Sequence, residues 1–127
     1  MKRAAAGLVL AALLTAACAA PRNTLGTSAS PCFRALPTAK AAVHNQGRFV
    51  GVRRVSRASV EKRFHAAPPP GKEFCVVGFS GLFRPDQVDK PVGTNPGKYA
   101  VVVVTVRGTT AHQTFLVDRL PMRLRHR

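Results

Sequence analysis

The run Tyr99-Ala100-Val101-Val102-Val103-Val104-Thr105-Val106 constrains this chain more than any other stretch. Valine is branched at Cβ, holds few rotamers and favours the pleated strand. A half-buried strand alternates apolar with polar residues, but here both faces are apolar as far as Val104. Such a strand belongs inside a sheet covered on both sides, or on one side by helix and on the other by a partner. Downstream, Gly108-Thr109-Thr110 turns the chain and His112 to Arg119 returns as a hairpin partner. Upstream, Asn95-Pro96-Gly97-Lys98 has proline then glycine at its centre, the chemistry of a type II turn.

The remaining elements are shorter. Thr38 to His44 reads as a short helix with Thr38 as its N-cap and Gly47 where it stops. Arg48 to Val55 reads as a first strand. Ser56 to Phe64 is ambiguous: with Ser59 as N-cap, Val60 and Phe64 share a helix face, and extended pairing is equally natural. Pro68-Pro69-Pro70-Gly71 ends it either way. Lys72 to Phe79 reads as a second strand carrying Cys75, and Arg84 to Val88 as one helical turn in a loop. The expected fold is α+β, a small four-stranded antiparallel sheet with one or two short helices, and an all-β sheet is the alternative.

The amino terminus has a different character. Lys2 and Arg3 precede fourteen uncharged residues, Ala4 to Ala17. That is the length of a signal-peptide core and too short for a permanent span of a hydrocarbon layer about 30 Å thick. Leu14-Thr15-Ala16-Ala17-Cys18 then resembles the lipobox of bacterial lipoproteins. The resemblance implies a diacylglyceryl thioether on Cys18, cleavage just before it, and anchoring at the outer face of the cell membrane. Ala16 and Ala17 meet the need for small residues, whereas Thr15 departs from the usual leucine, which lies one place early as Leu14. Ala17-Cys18-Ala19 also fits ordinary signal cleavage, which would discard Cys18 and free the protein as a secreted one. Ala19 to Pro31 is small, polar and broken by prolines, and reads as a flexible tether. The organisation expected is therefore residues 1–17 signal peptide, 18–31 lipidated cysteine and tether, and 32–127 a single small domain. That domain, rich in Ala, Val and Arg, broadly resembles small uncharacterised envelope proteins of high-GC bacteria, and no named domain attaches to it.

A core of that size benefits from a staple. An exported chain meets an oxidising compartment, so the remaining cysteines, Cys32 and Cys75, are expected to form a disulfide. Neither lies in a CxxC, and no histidine has ligand spacing to either.

Motifs for catalysis are weak. Gly78-Phe79-Ser80-Gly81-Leu82 fails the nucleophile-elbow pattern at Leu82, so Ser80 is expected in a strand-ending turn. His44, His65, His112 and His126 show no metal-ligand spacing, and neither metal nor cofactor is expected. An enzymatic reading would require a cleft where His65 or His112 meets a carboxylate. The acids Asp86 and Asp89 share one loop, where a turn cap or pairing with Arg84 or Lys90 accounts for them. The chain is expected not to be an enzyme.

Charge has more reach. Without residues 1–17 there remain 18 basic and 5 acidic side chains, a net of +13. The surplus gathers at Arg48, Arg53, Arg54, Arg57, Lys62 and Arg63, and again at Arg119, Arg123, Arg125 and Arg127. Outside the cytoplasm the matching partners are anionic lipid headgroups or acidic wall polymers. Nucleic acid is the second class. Its phosphates need only a basic face, but single strands usually want stacking aromatics, and the seven Phe and one Tyr sit mostly at core-like positions. The expectation is a non-catalytic envelope lipoprotein that binds or senses at the membrane's outer face. A freely secreted polyanion-binding protein is the alternative, and the plain competitor is that arginine merely solvates the surface.

Overall fold

The computed structural model describes residues 30–124. Cys18, Arg125, Arg127 and His126, with the signal peptide and nearly all of the tether, lie outside the described residues. A 3-10 helix, Ser30–Ala35, runs into helix α1, Leu36–Ala42. Strand β1 follows at Arg48–Ser56, helix α2 at Arg57–Phe64 and strand β2 at Glu73–Phe83. A 3-10 turn at Pro85–Gln87 precedes the two-residue strand β3, Pro91–Val92. The hairpin of β4, Gly97–Thr105, and β5, Ala111–Val117, completes the sheet.

The fold is α+β, as expected, but the sheet is larger and mixed. Five strands run in the order β1-β2-β4-β5-β3, and β3 pairs parallel to β5 through Pro91–Thr114 and Val92–Phe115. The expectation of four antiparallel strands fails at β3. Two exposed residues, one of them a proline, carry no strand periodicity, and the pairing is marked by Thr114 N–H donating to the Lys90 carbonyl at 3.0 Å.

The valine strand occupies the middle of the sheet, covered on both faces. On one face Val52, Cys75, Val77, Phe79, Val102 and Val104 pack beneath the 3-10 helix and α1. On the other, Val55, Phe74, Val76, Val101, Val103 and Phe115 pack beneath Val60 and Phe64 of α2 and the chain after β5. Cys32 and Cys75, both fully buried, are disulfide-bonded and tie the amino-terminal helix to β2.

Several local expectations shift. Thr38 is not an N-cap: α1 continues from the preceding 3-10 helix with Ala35 at that position, and Thr38 instead donates its hydroxyl to the Gly108 carbonyl. The ambiguous segment is a helix, entered through Ser56 rather than Ser59, with the Ser56 hydroxyl accepting from Ser59 N–H at 3.2 Å. Burial of Val60 and stacking of Phe64 on Phe115, centroids 4.3 Å apart, decide for helix. Ser80 lies within β2 opposite Arg48 and Tyr99, not in a turn, because the strand continues past a bulge to Phe83. Gly97 is not the positive-φ corner of a type II turn but the buried first residue of β4. A Cβ there would stand 2.5 Å from the backbone nitrogen of Val117, so glycine serves close strand approach.

Candidate functional site

Strand β1 is an edge of the sheet, with nine residues and three arginines, Arg48, Arg53 and Arg54. Charged side chains on an edge discourage pairing with another chain, which is one physical use for them. The register of β1 skips between Phe49 and Gly51, leaving Val50 as the extra residue of a bulge. Bulges bend a strand and re-aim its side chains, and Val50 lines an open groove of about 700 Å³ beside the sheet.

Three elements build this groove. Strand β1 supplies Val50 and Arg53, the last turn of α2 supplies Arg63, and the segment after β5 supplies Leu120, Arg123 and Leu124. Arg63 donates one N–H to the Pro121 carbonyl at 2.9 Å, which joins α2 to the carboxy-terminal segment. That segment lies close because Gly78 of β2 has no Cβ: one built there would meet the Leu124 Cδ1 and stand 3.7 Å from the Leu120 Cδ2. The result is an apolar floor rimmed by three guanidinium groups, with no acidic and no aromatic residue in the lining. Guanidinium is planar, permanently charged and shaped to grip phosphate or carboxylate with two N–H groups at once.

The two basic clusters of the sequence therefore meet in part. Arg53 and Arg63 from the first stand beside Arg123 from the second. The others are placed elsewhere. Arg54 projects to the opposite face and its Nε donates to Glu73 Oε2 at 2.9 Å. Arg57 donates to the Pro69 carbonyl at 2.6 Å. Arg48 is exposed at the end of β1, and Arg119 is exposed just beyond β5. Leu120 and Leu124 were not among the candidate residues, although Leu120, Met122 and Leu124 recur at every second position, separated by Pro121 and Arg123, at the period of a strand face. That signal was present and short. Val50 could not have been found, since a bulge is a property of pairing.

Other candidate groups fall apart in space. His44 Nε2 meets Asp89 Oδ1 at 2.8 Å, both side chains about half exposed. Asp86 lies 3.6 Å from Arg84, as its loop position suggests, while Lys90 donates to the Ala111 carbonyl rather than pairing with Asp89. His65 caps α2 in a left-handed conformation, and the His112 ring stands edge-on to Phe74. Burial pushes the His112 imidazole below its ordinary value, with the Lys90 charge adding to the shift. Among the described residues no group of three His, Cys, Asp or Glu side chains could hold a metal ion. No helix among them is long and apolar enough to cross a membrane.

Comparison with protein-family models, with curated proteins and with solved structures finds no match to this chain.

Proposed function

We propose that the protein is a non-catalytic cell-envelope lipoprotein, held at the outer face of the membrane through an acylated Cys18, whose disulfide-stapled domain binds anionic material there. One observation carries the binding part of this reading. Among the described residues Arg53, Arg63 and Arg123 converge on one groove without an acidic side chain in its lining. Like charges gathered in this way repel, and an anion relieves the repulsion. Anchoring is consistent with the energetics of acylation: two chains hold a protein stably where one does not. Each basic residue held close to an anionic leaflet adds about 1 kcal/mol.

The test is the intact mass of the protein recovered from its own host's envelope, before and after reduction. A mass that begins at Cys18 and carries acyl groups supports the anchor, and a gain of two hydrogens on reduction supports the Cys32–Cys75 bond. An unmodified chain beginning after Cys18 removes the anchor and leaves a freely secreted polyanion-binding protein as the working description.

A further inference from the structure

We infer that the groove between β1, α2 and the carboxy-terminal segment receives one anionic phospholipid, its phosphate between Arg53, Arg63 and Arg123 and the first part of its acyl chains over Leu120 and Leu124. This deepens the envelope reading and rests on it. Four observations converge. The three arginines come from three separate elements, so no single run of basic sequence explains their meeting. Arg63 is oriented by its bond to Pro121, and no acceptor among the described residues engages Arg53 or Arg123. The floor between them is aliphatic, with Val50, Leu120 and Leu124, so the site offers surface to a chain as well as to a charge. Its volume, about 700 Å³, suits a headgroup with the start of its tails, and its open side lets the rest of the chains stay in the bilayer.

The alternatives fit less well. A free phosphate would use the rim and leave the aliphatic floor without a role. Single-stranded nucleic acid draws much of its affinity from base stacking, and the lining contains no aromatic ring. A zwitterionic lipid would bring its own cation against three guanidinium groups.

The experiment uses the full chain with its disulfide formed and Cys18 unacylated, titrated with monomeric dihexanoyl phosphatidylglycerol and followed by NMR. Saturable shifts centred on the methyl groups of Leu120 and Leu124 and the guanidinium groups of Arg53, Arg63 and Arg123 are expected. The exposed pair Arg53→Gln and Arg123→Gln, combined, should weaken binding at least about tenfold, because charge-assisted contacts are lost. Lys40→Gln, on α1 at the opposite face, should leave it unchanged. Dihexanoyl phosphatidylcholine should bind at least about tenfold more weakly, and glycerol phosphate should do the same for lack of chains. Equal binding of phosphatidylcholine, of glycerol phosphate or of an oligonucleotide overturns the proposal, as do shifts centred elsewhere or an unaffected double variant. Salt-sensitive binding to phosphatidylglycerol vesicles that persists when groove binding fails would sink this inference and leave the envelope reading standing. Loss of vesicle binding, together with an unacylated native protein, would sink both.

Discussion

Leu124 lies directly over Gly78, its Cδ1 in the space that a Cβ on that strand residue would occupy. The carboxy-terminal segment is thus seated on bare backbone in the centre of β2. Gly78→Val should push it off the sheet while β2 keeps its pairing. The expected cost is about 1–2 kcal/mol, from re-exposure of Leu120 and Leu124. Trypsin should then cleave after Arg119 and Arg123 faster than in the parent. Unchanged cleavage would mean that the segment does not depend on this contact.

The approach of β4 to β5 at Gly97 leaves less freedom. There the obstacle is backbone, since a new Cβ would stand 2.5 Å from Val117 N and 2.8 Å from Val117 O. Gly97→Ala should cost about 2 kcal/mol, outweighing the small gain from a stiffer unfolded chain, and lower the thermal midpoint by roughly 10 °C. An unaltered midpoint would show that the strand ends separate without strain.

The Cys32–Cys75 bond spans 43 positions and both cysteines are fully buried. Loop-closure entropy for such a span corresponds to about 4 kcal/mol, a large share of the stability of a domain this small. Thiol reductants should leave the folded protein oxidised and act once denaturant opens it. The double variant Cys32→Ala, Cys75→Ala should lose most of that stability in denaturant titration. A bond that reduces readily in the native state would contradict its burial.

Burial, helped by Lys90, holds the His112 imidazole below its ordinary value. The unfolded chain then takes the proton more readily than the fold. This contribution is neutral above about pH 6.5, and stability falls as pH drops from there through the depressed folded value. The thermal midpoint should therefore decrease between pH 7.5 and 5, and His112→Gln should flatten part of that slope. A slope identical in the variant would assign the effect to other groups.

Much of the architecture was readable along the chain because it is local. Four consecutive valines between a proline-glycine pair and a glycine-threonine turn leave little choice but a central strand. With Cys18 assigned to the lipobox-like segment, Cys32 and Cys75 were the one pair left to bond, and they do. The basic surplus was visible as composition, but its geometry was not: Arg54 and Arg53 are adjacent in sequence, yet one pairs with Glu73 while the other lines the groove. Neighbouring strand residues point to opposite faces, so a run of charges is divided by the pleat.

By itself the sequence favoured the α+β class over an all-β sheet and determined the hairpin and the excess of positive charge, which follow from residue type and near neighbours, while the cysteine count pointed to the disulfide. Tertiary structure alone decided the fifth, parallel strand, the role of Gly97 in close approach rather than in a turn, and the meeting of Arg53, Arg63 and Arg123. Those three relationships join segments distant in the chain. They depend on register, a bulge and one missing Cβ, none of which exists until the sheet has formed.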